Sequence, residues 1–246
     1  MKIFRVFRLT KHTLFKEAFS ATCEAETMCF ISQNTSVPIP KVIYNWLMYK
    51  SGYEGIVMEF IQGRLLDTAW PSLNDDQKSH LKAQLQGYIS ELRSLTPPEN
   101  LSGQICSLNG GPFFDPLLLG QFCGPFKFEQ ELNEFCLFRF SSFIWDPSTR
   151  TQVDANWVKL FANHRIMFTH SDLNPRNILV DDQNNIISIL DWEMVGWKPE
   201  QWEYLKATWI ADPDGGWPAF MQQVIPGYQV QLDLHIEMCI MHGSPF

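Results

Sequence analysis

The chain has 246 residues and an acidic balance, with 19 lysine and arginine residues against 27 aspartate and glutamate residues and a formal net charge of −8. This balance argues against a nucleic-acid partner, because neutralising phosphates requires a basic surface. A charged fraction of 19% and an aromatic fraction of 14% exclude a disordered chain. The length predicts one large domain or two lobes. No apolar run approaches the ~18 residues of a membrane span, so we expect no membrane partner.

The six cysteines of the chain have neither a CxxC pair nor the His/Cys spacing of a zinc site. We expect free thiols and a cytoplasmic protein rather than a secreted one with disulfides. The N-terminus is basic and has no acidic residue before Glu17, as in a mitochondrial presequence. Its β-branched and aromatic residues favour strands over such a targeting segment.

The first sixty residues predict a small sheet with one helix. Strands are predicted at residues 3–9, 13–16, 42–49 and 55–60, where β-branched and aromatic residues cluster. A helix is predicted at residues 23–34, because Ala25, Met28 and Ile31 recur at helical spacing. Pro38 and Pro40 then force an extended backbone.

After Gly63 the pattern becomes mostly helical. The predicted elements are a helix at 73–95, a structured insertion loop at 100–127, helices at 129–140 and 155–161, strands at 166–169, 178–180 and 186–190, and a mainly helical segment from 199. These elements predict an α+β protein with a sheet lobe at 1–62 and a larger helical lobe at 63–246, joined near residues 59–64.

One segment carries an arrangement suited to phosphoryl transfer. His170, Asp172 and Asn177 form the pattern HxDxxxxN, and Asp191 follows two short apolar strands. Phosphoryl transfer requires an oxygen that orients the acceptor hydroxyl and hard oxygen ligands for Mg²⁺. The loop aspartate, the amide five residues later and the second aspartate provide these groups, and the strands provide rigid support.

The segments HSDLNPRNILV and ILDWE resemble the catalytic core of the aminoglycoside phosphotransferase/choline kinase family, which has the protein-kinase-like fold. The GPF tripeptide at 124–126 and the segment at 196–204 resemble the fungal branch of that family. The resemblance implies that Asp172 is the catalytic base, that Asn177 and Asp191 hold Mg²⁺, and that His170 is structural. Glu193 is interpreted as a loop anchor.

The N-terminal part resembles the family more loosely. By this resemblance, Lys16 pairs with the α- and β-phosphates of ATP, and Glu26 holds Lys16 in place, with Glu24 as the competing choice. Backbone groups at Glu59, Phe60 and Ile61 are expected to bind adenine.

One departure from the family pattern concerns the chain before Lys16. The fold normally has two strands and a glycine-rich turn there, whereas this chain has no glycine before Gly52. We expect an N-terminally truncated sheet lobe and weakened ATP binding. At position 171, where many relatives have glycine, Ser171 keeps a small side chain.

The sequence therefore predicts a phosphotransferase (kinase) that uses ATP and Mg²⁺ to phosphorylate a hydroxyl group of a small molecule. The alternative is a catalytically impaired or truncated kinase-like protein with a binding or regulatory role. A protein kinase is disfavoured because DWE replaces DFG and no APE segment follows. The net charge favours a cationic or neutral substrate. Asp212 and Asp214 are interpreted either as the acidic first turn of a helix or as an acidic lining for a cationic substrate.

Overall fold

A computed structural model describes residues 5–18, 21–48, 53–118, 120–141, 146–160, 162–208 and 216–241. The strands are β1 (Arg5–Arg8), β2 (Thr13–Ala18), β3 (Val42–Met48), β4 (Tyr53–Glu59), β5 (Arg64–Leu65), β6 (Phe113–Asp115), β7 (Gln121–Cys123), β8 (Ile166–Thr169), β9 (Ile178–Val180), β10 (Ile186–Ile189) and β11 (Gly196–Pro199). The helices are α1 (Ala21–Asn34), α2 (Leu66–Ala69), α3 (Asp75–Ser94), α4 (Glu129–Ser141), α5 (Pro147–Leu160), α6 (Trp202–Thr208), α7 (Trp217–Val224) and α8 (Gln229–Met241).

The chain forms two compact units. Unit 1 comprises Met1–Leu95 and Asp172–Val195, and unit 2 comprises Thr96–Ser171 and Gly196–Phe246. The predicted lobes, 1–62 and 63–246, divide the chain at a different point and stay a prediction. Of the predicted positions, Asp212 and Asp214 lie outside the described residues.

The sheet of unit 1 has the strand order β1-β2-β4-β3, with all pairs antiparallel. Lys16 and Ile56 lie opposite each other on its buried face. Helix α1 contacts β3 and β4 of this sheet, and its Met28 and Ile31 are buried. The predicted helical stripe is therefore the packing face of α1, as an apolar 3.6-residue period requires.

Helix α3 is an amphipathic helix of unit 1 that holds the start of β10. It begins with a capping box, in which the Asn74 side chain accepts from the Gln77 N–H and the Gln77 side chain accepts from the Asn74 N–H. The buried side chains of its apolar stripe are Leu81, Leu85, Ile89 and Leu92. The Gln84 side chain accepts from the Ile186 N–H at 2.8 Å and so holds the start of β10.

The β9–β10 hairpin places the ends of two strands side by side. The Leu190 N–H donates to the Asn177 carbonyl at 2.7 Å, and the Ile189 N–H donates to the Pro38 carbonyl at 2.8 Å. The first bond fixes the segment before Asp191 against the segment that contains Asn177, and the second fixes it against the segment that follows α1.

Unit 2 is organised around the antiparallel pair β8–β11. Trp197 of β11 bridges to Cys106, and a Cβ at Gly196 would lie 2.3 Å from the Cys106 carbonyl oxygen, so only glycine fits there. The prediction of a loop at residues 100–127 is wrong in part, because this segment contains the antiparallel strand pair β6–β7. Helix α5 begins at Pro147, eight residues before the predicted start at 155.

Among the described residues, no helix combines the length and the apolar character that a membrane crossing requires.

Candidate active site

Two amides hold the carboxylate of Asp172. The Asn174 side chain donates to Asp172 Oδ1 at 3.1 Å, and the Asn177 side chain donates to Asp172 Oδ2 at 2.7 Å. Asn174 also caps the short turn at 175–177 by accepting from the Arg176 N–H at 3.0 Å. Because Asn177 also donates to the Asp172 carbonyl at 3.0 Å, its amide hydrogens are used and its Oδ1 remains an acceptor suited to a cation.

Asp191 follows the end of β10 in a left-handed conformation, with φ 63° and ψ 68°. This conformation is uncommon for a residue other than glycine, and such strain concentrates at functional sites. The side chain remains 36% exposed and binds Lys16, with 2.7 Å between Asp191 Oδ1 and Lys16 Nζ. The carboxylate is thus accessible to a ligand while one of its oxygens is oriented by a cation.

Lys16 lies on β2 and is 7% exposed. Its ammonium group lies 2.9 Å from Glu24 and 2.7 Å from Asp191. Burial alone would lower the pKa of Lys16, but the carboxylates of Glu24, Asp191 and Glu193 outweigh burial and raise it. The side chain therefore stays positively charged in this site.

The prediction that Glu26 holds Lys16 is wrong, and the competing choice, Glu24, is correct. Glu24 is 2% exposed and also accepts from the Trp192 N–H at 3.3 Å, whereas Glu26 is exposed. Residues two apart in a helix point in nearly opposite directions. Glu24 precedes Met28 by four residues and Ile31 by seven, so the apolar period places Glu24 on the packing face.

Two of the three backbone N–H groups in the predicted adenine site already donate to other carbonyl groups. The Glu59 N–H donates to the Lys41 carbonyl at 2.9 Å, and the Phe60 N–H donates to the His12 carbonyl at 2.8 Å. Both donors are therefore used within the sheet. Adenine binding stays a prediction, now restricted to the Ile61 N–H and the carbonyl oxygens of this segment.

In unit 2, the segment before Asp172 is held by a buried carboxylate that the sequence analysis missed. Glu203 on α6 is 3% exposed and accepts from the His170 N–H at 2.7 Å and the Ser171 N–H at 3.1 Å. His170 is fully buried, and its structural role stays a prediction. The available signal was an acid inside the apolar segment Trp202–Leu205, whose residues are all buried.

Ser171 itself has a φ of 68°, the left-handed conformation that favours glycine. Its hydroxyl is buried and has no hydrogen-bond partner among the described residues. The two N–H bonds from the segment to Glu203 hold this strained residue in place. The substitution of serine for glycine is thus sterically accommodated at a conformational cost.

The carboxylates near Lys16 fit a divalent cation. Carboxylate oxygens of Glu24, Asp191 and Glu193 lie within 4.8 Å of one another. Lys16 contacts both oxygens of Glu24 at 2.9 Å but contacts Asp191 through Oδ1 at 2.7 Å, so Asp191 Oδ2 is better placed than Glu24 to bind an ion. These carboxylate oxygens are donors of the kind that Mg²⁺ prefers.

A sequence model described as "Phosphotransferase enzyme family" matches residues 5–235. The chain belongs to this phosphotransferase family. No curated protein matches it.

Solved structures of aminoglycoside phosphotransferases share the fold. The GDP complex of aminoglycoside 2'-phosphotransferase-IIIa is 17% identical, with a TM-score of 0.64 over 97% of this chain and 78% of that chain. The streptomycin-ATP ternary complex of APH(2")-IIa is 14% identical, with a TM-score of 0.60 over 96% and 80%. A ternary complex of APH(4)-Ia with AMP-PNP and hygromycin B is 12% identical, with a TM-score of 0.62 over 98% and 86%. The predicted protein-kinase-like α+β fold is confirmed.

Proposed function

We propose that this phosphotransferase-family protein transfers the γ-phosphoryl group of ATP to a hydroxyl group of a small molecule. The observation that carries the proposal lies within unit 1, where a charged, buried Lys16 contacts the accessible carboxylate of Asp191. The Asn177 carbonyl accepts from the residue before Asp191, while the Asn177 side chain holds Asp172. One rigid framework thus links a phosphate-binding cation, metal ligands and a base.

The residues have distinct roles in the proposed reaction. Asp172 accepts a hydrogen bond from the acceptor hydroxyl, orients its oxygen and takes its proton. A new bond forms between this oxygen and the γ-phosphorus, the bond from the γ-phosphorus to the β-bridging oxygen breaks, and ADP leaves. Lys16 stabilises the phosphate charge. Mg²⁺ held by Asn177 and Asp191 would supply further charge neutralisation.

The acceptor proposed here is a neutral or cationic molecule that carries a hydroxyl group. Three of the similar structures contain kanamycin, gentamicin or streptomycin, and the net charge of −8 is compatible with a cationic acceptor. A cytoplasmic location and the fungal-type branch accompany this proposal as predictions from the sequence.

A second candidate function is nucleotide binding without efficient transfer, and the β1–β2 turn favours it. The Leu9 and Thr10 N–H groups both donate to the Thr13 carbonyl, and the His12 N–H donates to the Thr10 hydroxyl. A turn that covers phosphates uses such N–H groups as anion donors. Here they are satisfied within the turn, so this element offers phosphates little backbone support.

A turnover assay with a binding assay separates the two candidates. The full chain is incubated with Mg-ATP and a panel of hydroxyl compounds that includes kanamycin, and acceptor-dependent ADP release is measured beside the thermal shift caused by Mg-ATP. The first proposal expects Asp172→Asn to lower turnover at least a hundredfold, whereas Asp182→Asn, the same change in an exposed turn, retains it. A thermal shift without transfer to any acceptor would favour the second candidate. The absence of both a thermal shift and transfer would overturn both candidates.

A further inference from the structure

Unit 2 contains an open cleft between α4 and α5. We call it the α4–α5 cleft and define it by Phe128, Glu129, Glu134, Leu137, Val158 and His164. Its volume of about 580 Å³ lies within the range of small-molecule sites. Ile166, the first residue of β8, also lines it. Since β8 spans four residues at ~3.3 Å each, the cleft lies roughly 13 Å from His170.

Apolar side chains form exposed walls of the cleft. Phe128 is 50% exposed and Val158 is 56% exposed. Exposed apolar surface that is concave and rimmed by polar groups is typical of a ligand site. A fully hydrated metal ion would gain nothing from such walls, so they favour an organic ligand.

Two carboxylates give the cleft a negative charge. Glu129 is 8% exposed, and hydrogen bonds from His164 and Gln201 outweigh the effect of burial and lower the pKa of Glu129, so this carboxylate is ionised at neutral pH. Both of its oxygens already accept hydrogen bonds from these two residues, so Glu129 contributes charge rather than a direct contact. Glu134 lies five residues further along α4, is exposed, and accepts from Gln130 at 2.8 Å. The described lining residues include no lysine or arginine. Arg165, next to His164, is paired with Glu200 at 2.7 Å.

We propose that the α4–α5 cleft binds a small amphipathic amine, with its ammonium group at the exposed Glu134, close to the charge of Glu129, and its apolar body against Phe128, Leu137 and Val158. The aromatic face of Phe128 adds a cation–π partner. Within unit 2 the cleft is set apart from the segment His170–Ser171, because Ile166, which lines the cleft, starts the strand β8 that leads to that segment.

A matched series of ligands tests the charge preference. Phenylbutylamine, phenylbutanol and phenylbutyrate share one apolar body and differ in charge, and their affinities for the full chain are measured by calorimetric titration at neutral pH. The proposal expects the amine to bind at least tenfold more tightly than the alcohol, and the carboxylate more weakly than both. Equal affinities of amine and alcohol, or no binding of the amine, would overturn it.

Two substitutions test the location. Glu134→Gln is expected to weaken amine binding at least fivefold and to leave alcohol binding unchanged, whereas Glu237→Gln, an exposed control on α8, alters neither. Val158→Lys places a cation on an exposed helical position and is expected to abolish amine binding while improving binding of phenylbutyrate. Amine binding that survives both Glu134→Gln and Val158→Lys would refute this site. Asp172→Asn, with or without Mg-ATP, should leave amine affinity within twofold of the wild type.

Discussion

The assignment of Glu24 rather than Glu26 as the partner of Lys16 can be tested by the same substitution at each position. Glu24→Gln keeps the shape and a hydrogen bond but removes the charge that balances the buried Lys16. We expect it to destabilise the protein by about 1–3 kcal/mol and to lower kcat/KM for ATP at least tenfold.

The exposed Glu26 is the control for this change. Glu26→Gln should leave the free energy of unfolding within about 0.5 kcal/mol of the wild type and kcat/KM within twofold. Urea unfolding and steady-state kinetics measure both quantities. Equal effects of the two substitutions would contradict the assignment of Glu24.

Ser171→Gly should stabilise the protein by about 1 kcal/mol. A left-handed conformation costs an L-residue ~1–2 kcal/mol, and a buried hydroxyl without a partner adds to that cost, whereas the greater freedom of glycine in the unfolded chain costs only ~0.5–1 kcal/mol. Ser171→Ala removes the hydroxyl but keeps the strained Cβ, so its free energy of unfolding should lie between those of Ser171→Gly and the wild type. A glycine variant less stable than the wild type would show that the strain is not relieved.

Helix α6 acts on the catalytic loop through Glu203. Glu203→Gln weakens the acceptor of the two N–H groups that precede Asp172, so Asp172 should lose its exact placement. We expect kcat to fall at least tenfold while the Kd for Mg-ATP changes less than twofold, because no nucleotide ligand is altered. Glu203→Asp, which keeps the charge but shortens the side chain, should recover part of kcat if its carboxylate still reaches the loop. A change confined to Kd would contradict a positioning role.

Local patterns in the sequence predicted most elements, and their failures have physical causes. Helix α3 could be predicted from the apolar stripe of Leu81, Leu85, Ile89 and Leu92, because amphipathic periodicity directly reflects burial. The early part of α5 was missed because 147–154 is rich in polar and β-branched residues, with little apolar period. Strands β6 and β7 have three residues each, which is too short for alternation to be recognised.

The candidate site was predictable only where chemistry and local spacing coincide. Asp172, Asn177 and Asp191 follow from a short motif and a hairpin. To predict the role of Glu203, one would have to know that it contacts Ser171 and His170, which precede it by 32 and 33 residues. To predict that the N–H groups of Glu59 and Phe60 are already hydrogen-bonded, one would have to know the strand register. Such contacts depend on tertiary packing, which one sequence does not reveal.

The stability of the whole protein should decrease as pH falls from about 6.5 to about 4, in part because of His235. Burial lowers the pKa of His235 to about 4, and the charge of Lys206 adds to this effect while Asp115 opposes it. His235 of the unfolded chain binds a proton below about pH 6.5, whereas His235 of the folded chain binds one only near pH 4. The stability that depends on neutral His235 is therefore fully present above pH 6.5. It falls by about 3 kcal/mol as the pH decreases to 4.

His235→Gln tests this dependence because glutamine does not titrate. Its unfolding free energy, measured by urea titration at several pH values, should fall less steeply between pH 6.5 and 4 than that of the wild type, by up to ~1.4 kcal/mol per pH unit. The exposed His12→Gln is the control and should keep the wild-type slope. Identical slopes for all three proteins would rule out the role of His235.

At the scale of the whole molecule, the central proposal is a nucleotide-phosphate site in unit 1. Calorimetric titration with Mg-ATP of the wild type, Asp191→Asn and the exposed control Asp182→Asn tests that assignment most directly. We expect wild type and Asp182→Asn to bind with the same affinity and with a dependence on Mg²⁺, and Asp191→Asn to bind at least tenfold more weakly and to lose that dependence. Mg-ATP binding of equal strength in all three proteins would contradict the account.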